Sequence, residues 1–502
     1  MKQPHSLSFA VLTRPMCATT ALLIGLSLSG CSIVKFDSTA EELVAQIERS
    51  GPAVARPVPF GPNPPSPQGS LTAFSEMAAS SNPMVARAER LLLASQQRVR
   101  ETRAEFYPQV ALEIEMLQTT QSIVASSNPS FAGNESEYDT ANQSLVLSQR
   151  IIDMPASAAI AVAQAEEAAR AADLDGARQN VLADVLSALL DGSEALERWR
   201  IADAEVRYFT TLDRVEQARV DAGEMRSTLR SETTAELARA RSDTGISSAD
   251  YRIRADRLCR LADGVACPYP GAANLGVALP RPMPFSEAEF AAVADAPSMR
   301  AMYERVNVSL REVDQARMAS RPRVSFELSV SNRDRGGSLF DGSSLTETTD
   351  ASLNVEWDLF TSGRLRSIRN RELHEALATE HEYESQMRIA VNDLQSAGSA
   401  LEALWAHDQS IGAVIAIRRG ALSDLRSEQE VGTATEMDVA LAQLELTRAE
   451  VLRQRTRRNY VAALVARARV TGSLGGETID LVERVLSDGL NSVRVYGPIS
   501  RN

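Results

Sequence analysis

The chain has 502 residues and a net charge of −13, and no single predicted element concentrates Lys and Arg, which argues against a nucleic-acid partner. Beyond the first 30 residues, no stretch reaches the ~18 consecutive apolar residues that a membrane-spanning helix needs. If the protein crosses a membrane, strands must therefore cross it.

The N-terminal residues form a targeting segment. An apolar run at 21–28 leads into the tetrad Leu28-Ser29-Gly30-Cys31. This order resembles a bacterial lipoprotein signal, which predicts a signal peptide over residues 1–30 and a lipid on Cys31. The alternative is an ordinary secretory peptide with an incidental cysteine. Ser32, directly after that cysteine, fits sorting to the outer membrane.

Proline-rich segments divide the remaining chain. Prolines concentrated over 50–70 predict an extended, lipidated tether over 31–71. A second Pro/Gly-rich segment at 262–285 predicts a connector rather than a domain. The same 25-residue spacing separates Pro83 from Pro108 and Pro297 from Pro322, which predicts an internal repeat. The predicted organisation is a first repeat at 72–261, the connector, a second repeat at 286–475 and a C-terminal tail at 476–502.

Each repeat contains a pair of segments that alternate between apolar and polar residues. They predict strands at 109–116 and 145–151 in the first repeat and at 323–330 and 353–359 in the second. Gln149 weakens the pattern because it falls on the apolar side. A soluble sheet covered by protein is the alternative, but the flanking helices are too long to fold over such short strands. We therefore predict lipid-facing strands, and because four strands cannot close a channel, three chains would supply twelve.

Two long helical segments set the scale of the fold. They run over 155–222 and 364–431, and each would be about 100 Å long. Each ends at a glycine, Gly223 or Gly432, and a shorter helix then returns. A seven-residue apolar seam in the second long helix is interrupted at Asp408, and charged residues such as Arg457-Arg458 are predicted to lie on solvated faces. The predicted fold class is mainly α, with long antiparallel hairpins forming an α-barrel and four transmembrane strands per chain.

The sequence carries no recognisable catalytic chemistry. Its histidines show no metal-binding spacing, and we find no phosphate-binding loop and no nucleophile signature, so we predict no enzyme activity, no metal and no cofactor. Cys259 and Cys267 are eight residues apart and could form a disulfide in an oxidising compartment, while a reduced pair is the alternative.

Several short motifs, in a fixed order across both repeats, resemble the TolC family of outer-membrane efflux ducts over about residues 72–475. They are Asn82-Pro83 with Pro108, Pro297 with Pro322, the junction Leu359-Phe360-Thr361-Ser362-Gly363-Arg364, Val431-Gly432-Thr433 with Asp438, and Val470-Thr471-Gly472. The resemblance implies a homotrimer with a twelve-stranded barrel in the outer membrane and a helical tunnel across the periplasm. It also implies docking to a periplasmic adaptor and to an inner-membrane transporter of the RND or ABC type.

The resemblance also implies roles for residues at the two glycine turns. Asp438 matches an acidic position that rings the tunnel entrance in the family, while a further acidic position of some members is Leu441 here. Three copies of Asp438 would favour cations and raise one another's pKa. The alternative role is local, because Thr435 and Asp438 match a capping box. The turns themselves would dock the adaptor, through Gly223 in the first and Val431, Gly432 and Thr433 in the second.

Three functions are compatible with the sequence. The leading prediction is a passive, trimeric outer-membrane channel-tunnel that exports substrates as part of a tripartite efflux system. The exit duct of a type I protein secretion system uses the same fold, and the sequence leaves the cargo open between the two. A periplasmic coiled-coil scaffold lipoprotein without a pore is the alternative of another class, and the four alternating segments count against it.

Overall fold

The computed structural model describes residues 71–125, 135–262, 270–337 and 342–490, with side-chain environments to residue 486. The predicted signal peptide, Cys31 and the tether up to residue 70 lie outside the described residues. The fold is mainly helical with a small antiparallel sheet, which confirms the fold class at that level. The elements are α1 (Leu71–Ser81), α2 (Pro83–Ala104), β1 (Gln109–Ser122), β2 (Glu135–Asp153), α3 (Met154–Asp221), α4 (Ser227–Cys259), α5 (Glu287–Asp295), α6 (Pro297–Met318), β3 (Arg323–Arg335), β4 (Ser344–Glu356), α7 (Arg364–Glu430), α8 (Glu436–Val470) and α9 (Gly476–Leu490).

Side-chain caps fix where two of the helices begin. Asp153 caps α3 by accepting a hydrogen bond from the backbone N–H of Ala156 at 2.9 Å, and a proline occupies the first turn. Asn82 caps α2 in the same way, through the N–H of Met84 at 2.8 Å. With 68 residues in α3 and 67 in α7, each helix is about 100 Å long, as the sequence predicts.

The helices pack as a layer in which α3 has neighbours on two sides. It forms one antiparallel hairpin with α4 and also contacts α2, α6 and α8. The second hairpin consists of α7 and α8, and α7 also contacts α6. Along the layer, the order is therefore α2 and α4, then α3, then α6 and α8, then α7.

The four strands form one sheet in the order β1-β2-β3-β4, and every neighbouring pair is antiparallel. The strands are longer than predicted, and β4 ends three residues before the predicted position 359, so Trp357 and Leu359 lie beyond it. Backbone hydrogen bonding between the strands continues through polar residues. The alternation of apolar residues does not reveal these parts of the strands. β1 and β4 are the two edges of the sheet.

Register places most of the large apolar residues of the four strands on one face. Leu112 lies opposite Leu145, which lies opposite Val330, and Phe326 lies opposite Leu353. Gln149 does fall on this face, as predicted, opposite Phe326. A register shift between Arg150 and Ile152 then returns an isoleucine to the apolar face, opposite Val324.

The main core lies where the middle of α3 meets α8, with α1 and α9 packed against it. The segment predicted as a C-terminal tail includes α9, whose buried residues belong to this core. They are Ile479, Val482, Val485 and Leu486. The predicted seam of α7 is buried at Leu394, Leu401, Ile415 and Leu422.

The described part of the connector, from residue 270, packs across both hairpins. Pro270 lies directly on Gly192 of α3, and the ring of Phe285 lies directly on Gly398 of α7. A Cβ at either glycine would overlap these rings, so glycine is required at both positions for packing. Two buried tyrosines hold the connector backbone. The hydroxyl of Tyr251 donates to the carbonyl of Pro270 at 2.9 Å, and that of Tyr460 donates to the carbonyl of Pro280 at 2.7 Å.

Among the helices of the described segments, none combines the length and the apolar character required to span a bilayer.

Candidate functional site

The second glycine turn joins α7 to α8. Gly432 has φ +82°, which favours glycine because a Cβ would clash with the backbone in this region. Its N–H donates to the carbonyl of Gln429 at 3.1 Å, and the N–H of Thr433 donates to that of Glu428 at 2.9 Å. These bonds satisfy the last carbonyls of α7 and leave the side chain of Val431 exposed at 76%.

The first glycine turn joins α3 to α4 with the same geometry. Gly223 has φ +75°, its N–H donates to the carbonyl of Val220 at 3.0 Å, and the N–H of Glu224 donates to that of Arg219 at 2.8 Å. Nothing lies within 4 Å of a Cβ built at Gly223 or Gly432, so backbone conformation rather than packing requires glycine there. Both predicted tips are thus open, exposed turns.

Asp438 forms the capping box that the sequence suggests. Its backbone N–H donates to Oγ1 of Thr435 at 3.2 Å, and its Oδ2 accepts from the N–H of Thr435 at 2.9 Å and from the hydroxyl at 2.6 Å. The hydrogen bond from the Thr435 hydroxyl, followed by that from the backbone, lowers the pKa of Asp438 below its ordinary value. Within one chain the carboxylate is therefore charged at neutral pH. Leu441 lies one turn further along α8 and is 44% exposed.

Ion pairs link the two hairpins near these turns. Arg214 of α3 pairs with Glu436 in the first turn of α8. Further from the turns, Nη2 of Arg448 on α8 lies 2.7 Å from Oε1 of Glu205 on α3. The structure therefore places the predicted tip residues of both hairpins at the same end of the helical layer.

The polar face of the sheet carries carboxylates on successive rows. Glu327 lies between Ser148 and Ser352, Glu113 lies opposite Ser144, and Asp350 lies opposite Ser329. Glu113, Glu327 and Asp350 are exposed, and within the described residues none of them forms an ion pair. If this face of the sheet is turned towards water, it presents fixed negative charge to that water.

The prediction that Arg457 and Arg458 lie on solvated faces is wrong. Arg457 is 2% exposed, and its Nε lies 2.7 Å from Oδ1 of Asp408, the residue that interrupts the α7 seam. Nε of Arg453 lies 3.0 Å from the same atom. Burial would raise the pKa of Asp408, but hydrogen bonds from Arg457 and Arg453 hold it below its ordinary value.

Arg457 also fixes the connector, because its Nη1 donates to the carbonyls of Asn274 and Val277, the latter at 2.7 Å. A signal for this cluster exists in the sequence. Asp408 occupies a seam position, where burial is expected, and a buried carboxylate needs a cationic partner.

A second buried pair joins α3 to α8. Glu197 is 3% exposed, and its carboxylate accepts from Nε of Arg458 at 3.3 Å. Burial raises the pKa of Glu197 to about 7, against the attraction of Arg458. One turn away, the pKa of Glu194 is lowered, because hydrogen bonding to Arg198 and the charge of Arg458 outweigh burial.

We expect Glu197 to make stability fall as pH rises. A carboxyl whose pKa is raised in the folded state binds its proton more tightly there, so its destabilising effect begins above the unfolded pKa near 4.5 and is complete above pH 7. Glu197→Gln should flatten the decline in Tm between pH 5 and 8, measured on purified full-length protein in detergent.

Glu194→Gln is the matched control with the opposite sign. A lowered pKa contributes stability above the unfolded value and loses it on acidification, so this variant should lower Tm at pH 7 and have little effect near pH 3. Parallel pH profiles for the wild type and Glu197→Gln would contradict the assignment of Glu197.

The remaining predicted residues are placed as follows. Cys259 ends α4 and packs against the main core, whereas Cys267 lies outside the described residues, so the disulfide stays a prediction. His374, His381 and His407 are exposed on α7. Across the segments that the structure describes, no group of three or more His, Cys, Asp or Glu side chains could hold a metal ion.

Comparison with known proteins gives consistent results. The family described as "Outer membrane efflux protein" matches residues 74–262 and 291–473. The outer membrane efflux protein BepC of Brucella suis biovar 1 (strain 1330) is 25% identical over 339 residues, which cover 64% of this chain and 70% of that protein. The outer membrane channel CmeC of Campylobacter jejuni has a similar structure, with a TM-score of 0.68 at 15% identity, covering 83% of this chain and 89% of that one. VceC of Vibrio cholerae gives 0.61 at 18% identity, covering 80% and 96%.

The family match covers more than half of the chain, and the solved structures show that the fold is that of outer-membrane channels. These findings confirm the resemblance to the TolC family, the location in the outer membrane and the function in efflux. The matched family and the fold are those of channel proteins rather than of known enzymes. The chain belongs to the outer membrane efflux protein family and is an outer-membrane efflux channel.

Proposed function

We propose that three copies of this chain form one passive duct, with a twelve-stranded barrel in the outer membrane and a helical tunnel in the periplasm. The duct receives substrates from an inner-membrane transporter through a periplasmic adaptor and releases them outside the cell. The observation that carries the proposal is a four-stranded sheet with one exposed apolar face, one polar face and two open edges.

The apolar face supports a lipid environment. Leu112, Ile114 and Leu353 are each at least 60% exposed, although contact of such side chains with water costs about 25 cal/mol per Å². The strands have 13 to 19 residues, which exceeds the ~9–11 needed to cross a bilayer at a tilt. The opposite face is polar, as the water-filled interior of a membrane barrel requires.

The open edges support closure by several copies. Among the described residues, β1 and β4 each leave one row of backbone donors and acceptors without a strand partner, and such edges pair readily with other strands. Pairing β4 of one copy with β1 of the next would close a ring, and three copies supply twelve strands. The helical layer ends in the same order, with α2 and α4 on one side and α7 on the other.

We further propose that the chain consists of two internal repeats. The corresponding helices have nearly equal lengths, with 22 residues in both α2 and α6, and 33 and 35 residues in α4 and α8. The family matches twice, once in each half. Two repeats per chain and three chains per duct would place six similar units around the wall, which would then be quasi-sixfold.

The glycine turns are proposed to meet the adaptor, and Asp438 to ring the entrance. Support comes from the exposure of Val431 and from the open space around Gly223 and Gly432. Lipid on Cys31 would hold the N-terminus at the same membrane.

The proposal is tested by single-channel recording of purified full-length protein in a planar bilayer. We expect discrete, cation-preferring conductance steps. Asp438→Ala should raise the conductance or weaken the preference for cations, because the carboxylates near the axis attract cations. Asp438→Asn keeps an acceptor for the Thr435 cap but removes the charge, so it should reproduce the effect if the charge is responsible.

Three outcomes would count against these assignments. No conductance from the wild type would contradict a duct and fit the scaffold alternative. An effect of Asp438→Ala but not of Asp438→Asn would leave only the capping role. Deleting the protein should sensitise cells to toxic compounds, whereas loss of secreted polypeptides alone would identify the exit duct of a type I secretion system.

A further inference from the structure

All four strands meet the helices at the same end of the sheet. β1 and β3 begin there, and β2 and β4 end there. The residues that flank the strands at this end include exposed aromatic side chains: Tyr107 is 69% exposed, Trp357 58% and Phe360 87%. Leu359 is exposed as well. This end of the sheet thus carries large apolar groups that one chain leaves uncovered.

Trp357 is held in place rather than loosely exposed. Its indole Nε1–H donates to the carbonyl of Ser320 at 3.1 Å, which ties the end of β4 to the segment that follows α6. The indole donor is therefore satisfied while much of the side chain stays uncovered. An aromatic side chain with one polar and one apolar end is suited to the boundary between a bilayer and water.

The same end of the sheet is strongly cationic in an acidic protein. The segments 98–107, 150–155, 315–325 and 356–372 contain eleven arginines and six carboxylates, a net charge of +5 in a chain whose net charge is −13. Five of these carboxylates form ion pairs: Glu101 with Arg98, Glu105 and Asp153 with Arg150, Asp358 with Arg364, and Glu372 with Arg371. The sixth, Glu356, lies opposite Arg323 in the sheet.

Pairing therefore leaves positive charge uncompensated. Arg103, Arg321, Arg366 and Arg369 are exposed, and within the described residues none of them forms an ion pair. We call these four arginines, with Tyr107, Trp357 and Phe360, the collar. Guanidinium groups bind phosphate oxygens in a bidentate manner.

We propose that the collar binds anionic phospholipid headgroups in the membrane leaflet nearest the helices. This rests on the proposed function, which places the apolar face of the sheet in lipid. Trp357 follows Val355 of the apolar face by two residues and so continues its alternation. At this end of the sheet the aromatic rings of the collar would lie at the level of the headgroups, and its arginines just beyond them. Charge complementarity favours an anionic lipid over a zwitterionic one.

The first test measures lipid-dependent stability of the purified full-length protein in detergent. Phosphatidylglycerol should raise Tm more than phosphatidylcholine with the same acyl chains. In R103Q/R321Q/R366Q/R369Q the midpoint of the phosphatidylglycerol titration should rise by about tenfold or more, since each arginine near an anionic surface strengthens attraction severalfold. The control R239Q/R241Q/R252Q/R388Q removes the same charge from exposed positions on α4 and α7 and should titrate like the wild type.

The arms of this experiment separate the possible ligands. Equal titrations for the collar variant and the wild type would overturn the proposal, as would an equal effect of phosphatidylcholine. Sodium phosphate at matched concentration should give no shift; a shift equal to that of phosphatidylglycerol would mean a site for free phosphate. Wild-type conductance of the collar variant in a bilayer shows that the duct is intact, so failure here is distinguishable from failure of the proposed function.

The second test locates Trp357. The chain has three tryptophans, and W199F/W405F leaves Trp357 as the sole fluorophore. In vesicles of phosphatidylglycerol and phosphatidylcholine, lipids brominated near the headgroup should quench its emission more than lipids brominated deep in the chain. Absence of quenching by either lipid would place Trp357 in a contact between subunits and overturn the assignment of the collar to lipid.

Discussion

Arginine in place of Leu112 should prevent stable insertion of the protein into the outer membrane. Leu112 lies on the apolar face of β1, is 67% exposed and is opposite Leu145. It lies three residues from the start of β1, about 10 Å into the strand. An arginine on the lipid face costs roughly 2–4 kcal/mol at the bilayer centre and less towards either interface, and each copy would bear the cost that applies at this depth. The measurement is the fraction of protein that resists extraction of outer membranes by urea.

Glu113→Arg is a closely matched control. It places the same side chain one residue further along the same strand, where alternation directs it to the polar face opposite Ser144. We expect this variant to insert normally and to weaken the preference for cations in single-channel recordings, because it replaces an unpaired carboxylate. If both variants were extracted equally, the two faces of the sheet would not differ in their surroundings, and the barrel proposal would fail.

Alanine in place of Asp408 should cause a large loss of folding stability. Asp408 is fully buried and compensates Arg457, which is 2% exposed, and Arg453. Removing one partner of a buried ion pair typically costs about 3–5 kcal/mol, because the remaining charge is left without compensation in the protein interior. We expect a lower Tm of the purified protein in detergent, accompanied by proteolytic cleavage in the connector that Arg457 holds.

Two further variants test whether the loss of stability comes from the buried ion pairs. Asp424→Ala removes an exposed carboxylate from the same helix and should change the free energy of unfolding by no more than about 0.5 kcal/mol. Asp408→Ala combined with Arg457→Met removes both buried charges and should recover part of the loss, although the carbonyls of Asn274 and Val277 then lack their donor. A Tm for Asp408→Ala equal to that of Asp424→Ala would contradict the role of the cluster.

Periodicity explains why so much of the fold could be predicted. Strands with one apolar and one polar face alternate with a period of two, and the two long helices are uninterrupted by proline over their central turns, so both kinds of element leave a clear pattern. The helix ends were predicted to within about one residue because a cap or a left-handed glycine marks each of them. Asp153 and Gly223 bound α3, and Gly432 follows α7.

Strand ends were harder to predict for a physical reason. Backbone ladder bonds do not depend on side-chain polarity, so β2 extends from residue 135 although its first ten residues are mostly polar. At the other end, the alternation continues through Trp357 and Leu359 beyond the last paired residue of β4. Alternation identifies a strand but does not show where its partner stops.

The burial of Arg457 and Arg458 could not be predicted from their local sequence. Arg457 and Arg458 are next to each other in an arginine-rich helix, and nothing local distinguishes them from exposed neighbours such as Arg448. They are buried because α7, α3 and the connector converge on this part of α8, bringing Asp408 and Glu197 to them from about 50 and 260 residues away.

By itself, the sequence determined the element types, the helix lengths, the glycine turns and the two faces of the strands, because each of these follows from local backbone geometry or from the period of the side chains. Only the tertiary structure decided which charges are buried, why Gly192 and Gly398 must lack a side chain, and which arginines at the end of the sheet remain unpaired. Those features depend on contacts between residues far apart in the chain, and the free energy of a charge or a Cβ depends on what those contacts place beside it.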